Sequence, residues 1–478
     1  MTNRFKTCLA VTAIISLMYS CKKDFLEVTP KGRLIAQKVA DYDLLLNNLE
    51  LLNIDANAQV VMGDEIAAVQ PYFDGAQVKT QRRFRWDDVI YESAENAVEM
   101  DVPMKNIYTF NKIINELPAA TDGTALQKQT IAAEAMASRA WTNFLLINYF
   151  GKPYDDNTAA MDLGFPIFTK ADVTETKFTR ASVKDVYEFI VDDLTKAIPN
   201  LPVKTTHPVR MSKAAAEGLL GKVYLFMGKP DLALPHLNAS FSAVANSVFP
   251  IALYDYNKTF APGGEFLPIG LFGPSYPILS NNKENIFGKQ FVNTWTIYYN
   301  ELVISKQTAE LFDNADLRLK FYSPAAYNGP AYPKGLLRKI GPNAVQFGFI
   351  LPDLYLLRAE CKARLGDLAG AKADVEQLRK NRMPAGDAVV PSTIADQQLS
   401  LLKFILDERI REFALSGYRW FDMRRLSVDP LFKGKVYTHT LYSETGAVIN
   451  TYTLRPERLV LRFPQKVLDQ NPGMQNNP

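Results

Sequence analysis

The stretch LGKVYLFMGKPDLA, Leu220 to Ala233, decides the fold. Leu220 and Gly221 stand just before Tyr224, Gly228 follows four residues after the tyrosine, and Ala233 five after that. Small residues at these places let two helices approach closely, and the glycine ends the first of them. A looser copy lies downstream in YLLRAECKARLGDLAGA, where Tyr355, Ala359, Gly366 and Ala371 fall at equivalent positions. Two copies of one helix pair predict a helical-repeat scaffold.

The spacing is that of a tetratricopeptide repeat, and the flanking sequence extends it. Ser182-Val-Lys-Asp185 reads as a capping box, after which Val183, Val186, Phe189, Ile190, Leu194, Ala197 and Ile198 recur at three- and four-residue steps up to Pro199. That is an amphipathic helix in need of a partner. Upstream, Ile107, Asn111, Ile114 and Leu117 mark one helix, and a longer one runs from about Leu126 to Phe150. The short Thr121-Asp-Gly123 turn between them makes an antiparallel hairpin.

The texture changes elsewhere. Tyr254 to Asn300 holds APGGEF, FGPSYP and NTWTIYYN, rich in Gly, Pro, Asn and aromatics, with one strand-like piece at Asn285 to Phe291. A similar insertion, Val61 to Glu92, holds PYFDG and RRFRWDDVIY. Excursions of this length in a compact protein serve function or are disordered, and so many aromatics argue against disorder. The chain therefore reads as one helical unit decorated with binding loops.

At the N-terminus, Arg4 and Lys6 precede a mostly apolar run, Leu9 to Ser20, that ends at Tyr19-Ser20-Cys21. A basic start, a short apolar stretch and small residues at its end form a secretory signal, too short to span a bilayer of about 20 apolar residues. The cut site looks like a lipobox, so Cys21 is the expected lipidated first residue of the mature protein, tethered to a membrane rather than threaded through it. Residues 1–20 are then signal peptide and 21–478 one mature domain. Within it, about 21–250 and 350–385 form the helical scaffold, while 254–345 and 386–478 are loop-rich.

Composition excludes several classes. Without Arg4 and Lys6 the 54 basic residues become 52 against 51 acidic ones, a net charge of +1 that offers no nucleic-acid footprint. The three histidines, His207, His236 and His439, form no ligand-spaced cluster, and no GxSxG, HExxH or phosphate-binding glycine loop is present. No metal site or cofactor is expected.

Several stretches together resemble the SusD/RagB family of surface lipoproteins. Cys21-Lys-Lys-Asp-Phe-Leu-Glu27 with Pro30 is similar to the family's start. Ile107-x-x-x-Asn111, Phe150-Gly151-x-Pro153, Glu284-Asn-Ile-Phe287, Asp316-Leu-Arg318 and Leu356-Leu-Arg-Ala-Glu-Cys361 are similar to its middle. The strongest match is DERIREFALSGYRWFDMRR, Asp407 to Arg425, with Glu408, Arg409, Glu412, Gly417, Arg419, Trp420, Asp422 and Arg425 in place. Asn471-Pro472 and Gln475-Asn476 resemble its tail. The chain departs from the family at Met100-Asp101, where many relatives carry tryptophan, and at Arg462-Phe-Pro464.

The resemblance implies an all-α-dominated fold, a tetratricopeptide-like right-handed α/α superhelix with loop-rich insertions and an irregular C-terminal region. It also implies a lipid anchor at the outer face of the outer membrane and a SusC-like TonB-dependent transporter as partner. The implied ligand is an oligosaccharide or, in RagB-like branches, a peptide; a glycan hydrolase and a pure protein-binding scaffold are the other readings.

Within the strongest motif, Glu408, Arg409, Arg411 and Glu412 lie at helical spacings that allow ion pairs along the helix, and Gly417 suits a C-cap. The alternating arginines would hold the carboxylates ionised, which suits structural cement better than a glycosidase pair. Sugar recognition needs aromatic platforms flanked by polar groups. The first loop offers Tyr72, Phe73, Arg85, Trp86 and Asp87, and the second Tyr276, Asn293, Trp295, Tyr298 and Tyr299, with Trp86 and Trp295 the foremost of them.

Overall fold

The structure is a computed structural model that describes residues 36–174, 177–204, 206–293 and 299–478. Its helices of eight or more residues are α1 (Val39–Leu46), α2 (Val78–Arg85), α3 (Val98–Glu116), α4 (Ala125–Phe150), α5 (Val183–Ala197), α6 (Lys213–Phe226), α7 (Pro230–Val244), α8 (Leu351–Arg364), α9 (Leu368–Lys380), α10 (Gln398–Phe413) and α11 (Tyr418–Ser427). Consecutive helices pack as hairpins: α3 on α4, α6 on α7, α8 on α9. The hairpins then stack, α4 on α5 and α8 on both α7 and α10. This is the tetratricopeptide-like scaffold the repeat spacing predicts.

Local chemistry accounts for the elements. Thr124 and Ser182 each cap a helix, their hydroxyls accepting from the N–H groups of Gln127 and Asp185, whose side chains return the bond in a capping box. Gly228 (φ +73°) and Gly366 (φ +88°) close the first helix of each repeat, the conformation in which glycine bears no side-chain penalty. In both repeats the next N–H bonds back to a carbonyl of the last turn, Lys229 to Tyr224 and Asp367 to Lys362, each at 2.9 Å. At Gly221 a Cβ would stand 2.7 Å from the Leu237 side chain, so the glycine sets how closely α6 and α7 approach.

The first loop insertion carries strand β1 (Ile66–Val69), which pairs antiparallel with β2 (Val303–Ile304), just beyond the second. β1 also pairs in parallel with β3 (Thr438–Tyr442), and β3 forms a hairpin with β4 (Val448–Thr453), giving the sheet order β4-β3-β1-β2. The strand-like piece at Asn285 to Phe291 divides into two short strands, Asn285–Phe287 and Gln290–Val292.

Two expectations require correction. The region 386–478 is not uniformly loop-rich, because α10 and α11 lie in its first half and bury Leu401, Ile405, Trp420 and Met423. Gly417 is not a C-cap: α10 already ends at Phe413, and Gly417 (φ +84°) opens α11 after a tight bend. That bend directs Tyr418, Trp420 and Phe421 into the core.

Candidate functional site

The Asp407–Arg425 motif is buried, and its charges join elements rather than run along one helix. Glu408 meets Arg318, Arg379 and Arg411 at 2.8, 2.9 and 2.8 Å. Glu412 meets Arg318 and Arg382 at 2.9 and 2.8 Å, and Arg382 also holds Glu284 at 2.7 Å. Arg409 ties Asp353 of α8 to Asp422 of α11, both at 2.8 Å, and Arg425 joins Asp422 to Glu360. Arg419 pairs with Asp64. Arg411–Glu408 in α10 and Arg425–Asp422 in α11 are the intrahelical pairs of the motif, and the first is the one of those anticipated from spacing along α10 that forms.

Despite burial, the three arginines hold the Glu408 carboxyl well below the usual carboxylate range, and Arg425 and Arg364 bring Glu360 down to about 2. A general acid for glycoside cleavage needs a raised pKa and contact with the substrate. The cavity beside Glu412, lined also by Arg318, Lys339 and Ser416, has a volume of about 80 Å³. Sites for small molecules run to roughly 300–1,000 Å³, so this space admits water rather than a sugar.

The two predicted loops do converge, though not through every predicted residue. Half-buried Tyr72, just after β1, stands edge-on to Tyr332 with ring centroids 5.8 Å apart. Tyr332 donates its hydroxyl to the Asn300 carbonyl at 3.1 Å, and the Asn300 side chain holds Tyr327 through both backbone groups, at 2.7 and 3.3 Å. The Arg338 guanidinium lies 6.0 Å from the Tyr327 ring centroid. Tyr299 is 46% exposed beside them. Tyr72, Tyr299 and Tyr327 thus come together where 70–76, 299–301 and 325–333 meet, with Tyr332 and Arg338 buried against them and the Asn300 amide taken up in holding Tyr327.

The other predicted contacts lie elsewhere. Trp86 is no exposed platform: its ring stacks on His439 at 3.8 Å, its indole N–H donates to the Met62 carbonyl at 3.1 Å, and only 2% of the residue is exposed. Arg85 and Asp87 pair with one another at 2.9 Å. Tyr276 packs on Phe266 and Phe321, with centroids 5.3 and 5.7 Å away, and burial pushes its hydroxyl pKa up. Asn293 is buried, its backbone N–H donating to Asn343 at 2.8 Å. Cys21, Trp295 and Tyr298 lie outside the described residues; Asn293 and Tyr299 are the described residues on either side of the last two. Tyr327 and Tyr332 were not anticipated; the turn-rich run AAYNGPAYP, 325–333, is the signal that could have marked them.

A family profile described as "Starch-binding associating with outer membrane" (SusD-like) matches residues 24–225, and one described as "SusD family" matches 351–478. The chain belongs to the SusD/RagB family. A SusD-like protein P38 from Formosa agariphila is 24% identical over 70% of this chain and 73% of its own length. Among solved structures, a SusD superfamily protein from Bacteroides thetaiotaomicron aligns at TM-score 0.72 and 20% identity, covering 92% of this chain and all of that one. A SusD-like carbohydrate binding protein from Bacteroides vulgatus aligns at TM-score 0.66 and 15% identity, covering 92% and 99%. The SusD/RagB scaffold therefore places the buried arginine–carboxylate motif between α8, α10 and α11 and leaves the tyrosine face outside it. Among the described residues no helix is long and apolar enough to cross a membrane, and no cluster of three or more His, Cys, Asp or Glu side chains could hold a metal ion.

Proposed function

We propose that this protein is a nonenzymatic cell-surface lipoprotein. Anchored through Cys21 on the outer face of the outer membrane, it captures an oligosaccharide and passes it to a SusC-like TonB-dependent transporter. The observation that carries this reading is the meeting of two loop insertions on the platform of Tyr72, Tyr299 and Tyr327, with Trp295 and Tyr298 in the adjoining segment. Sugar rings offer an apolar face to such rings and hydroxyls to the phenol groups at their edge. The B. vulgatus SusD-like carbohydrate binding protein, similar in fold, points the same way. Binding without turnover agrees with the ionised, inaccessible carboxylates of the family motif.

The test is calorimetry of the soluble chain, beginning after Cys21, against a panel of oligosaccharides and peptides. The expected result is a glycan hit that weakens at least tenfold, about 1.4 kcal/mol, in Tyr72→Ala/Tyr299→Ala. A peptide hit lost in the same variant would move the protein to the RagB-like branch. Unchanged affinity in the variant would remove the platform from the account.

A further inference from the structure

A groove of about 680 Å³ lies beside the start of β3. The end of α11 lines it through Val428, the approach to β3 through Val436 and Tyr437, and the stretch after β4 through Leu454, Leu459 and Val460. Sites for small molecules are concave, largely apolar and roughly 300–1,000 Å³ in volume, so this groove has the size and lining that the 80 Å³ cavity beside Glu412 lacks. It is also separate from the tyrosine face. β3 ends at Tyr442, which pairs with Val69 just before the Tyr72 turn, whereas Tyr437 precedes the first residue of the strand. The length of β3, about 17 Å, stands between the two places.

Charge around the groove has one dominant sign. Its lining side chains include Lys152, Lys433 and Lys435 against a single acid, Glu457. Lys152 pairs with Asp162 at 2.5 Å. Among the described residues Lys433 and Lys435 form no ion pair, and Asp64 and Asp407 attract Lys435 only from beyond ion-pair distance. The Lys435 Nζ stands 5.4 Å from the centre of the Tyr437 ring. A further cation lies behind the lining: Arg424 is 1% exposed, donates to the Leu459 and Gly151 carbonyls, and meets no carboxylate among the described residues. Burial brings its guanidinium down to about 10, which leaves it charged at neutral pH. Positive charge set in low-dielectric walls focuses its field into a cleft.

These properties select the occupant. A bare phosphate or sulfate would leave the apolar lining unused, and a neutral sugar would leave the lysines unmet. A folded partner protein covers about 800 Å² of surface on each side rather than filling a cavity. Apart from Tyr437 the apolar lining is aliphatic, which suits a hydrocarbon chain better than a flat ring system.

We propose that this groove binds a small aliphatic carboxylate, its chain on Val428, Val436, Leu454 and Val460 and its acid group on Lys433 and Lys435. The proposal uses no residue of the tyrosine face and stands whether or not that face takes a glycan.

The test titrates the soluble chain, beginning after Cys21, with the fluorescent fatty acid dansylaminoundecanoic acid, then displaces the probe with decanoate or with decylammonium. The expected result is one probe per chain, displaced by decanoate at a concentration at least tenfold lower than by decylammonium. Lys433→Gln/Lys435→Gln and, separately, Val436→Asp at a residue 68% exposed should each weaken the probe at least tenfold. Lys196→Gln/Lys258→Gln, at side chains 64% and 85% exposed elsewhere, should leave it unchanged. Melting of each variant, expected to match wild type, separates lost binding from lost folding. Equal displacement by the two head groups, full affinity in Val436→Asp, or equal weakening in the control would overturn the proposal. Absence of probe binding would do the same. So would co-sedimentation with phosphatidylglycerol vesicles that needs Lys433 and Lys435 in a chain that binds no decanoate, which would assign the groove to a membrane surface.

Discussion

Replacing Glu408 by glutamine should destabilise this protein more than almost any other single polar change. Glu408 is fully buried and is the shared partner of Arg318, Arg379 and Arg411. The amide keeps the shape but removes the charge, leaving three buried guanidinium groups short of one counter-charge. Breaking a buried ion pair from one side costs about 3–5 kcal/mol. Unfolding entropy of roughly 2.1 cal/mol/K per residue over about 450 residues amounts to about 0.9 kcal/mol/K, so a loss of about 4 kcal/mol lowers Tm by about 4 °C. The retained pairs of Arg318 with Asp316 and Glu412 set the lower end of that range. Calorimetric melting of wild type and variant at pH 7 measures the shift, with Asp192→Asn as control, since its pair with Lys196 is exposed and worth at most about 1 kcal/mol. A shift below 1 °C for Glu408→Gln, or one equal to the control, would refute the view that the motif is structural cement.

Three further outcomes follow from the packing. Gly218→Ala should cost about 1–3 kcal/mol through overpacking, because the new methyl would stand 2.0 Å from a Phe349 ring carbon and 2.9 Å from the Ser240 hydroxyl; chemical denaturation reads it. Trp86→Ala should lose about 3–5 kcal/mol of stability while leaving ligand affinity unchanged, the reverse of Tyr72→Ala, and melting paired with calorimetry separates the two. His439 is buried between the Phe84 and Gly63 carbonyls, and burial brings its imidazole down to about 4 even though the two carbonyls, which can only accept, pull the other way by favouring the doubly protonated ring. Its native pKa thus lies below the unfolded value near 6.5, the unfolded chain binds the extra proton, and stability falls as pH drops from about 6.5 to about 4. His439→Asn should flatten the Tm profile in that window, and an unaltered slope would show that His439 does not set it.

Much of the scaffold was legible in the sequence because helices declare themselves locally. The glycine at the end of each first repeat helix, the capping boxes at Thr124 and Ser182 and the three- and four-residue periodicity all act within a few residues. The sheet was not legible. β1 pairs with β3 from more than 350 residues away, and strands of two to six residues carry little periodicity. The site was half legible for the same reason. Composition located both loops, but whether an aromatic faces solvent depends on distant partners: His439 covers Trp86, Phe266 and Phe321 take Tyr276, and Asn300 holds Tyr327 at the surface. The charges of the 407–425 motif were misassigned to one helix because Arg318, Arg379, Arg382 and Asp353 approach only in three dimensions.

The measurement that tests the account most directly is native mass spectrometry of the soluble chain incubated with its best oligosaccharide, compared with Tyr72→Ala/Tyr299→Ala. Capture without chemistry predicts a complex whose added mass is that of the intact sugar, undiminished over a day, and loss of that complex in the variant. Shortened sugar products in the wild-type sample, or full occupancy in the variant, would contradict it.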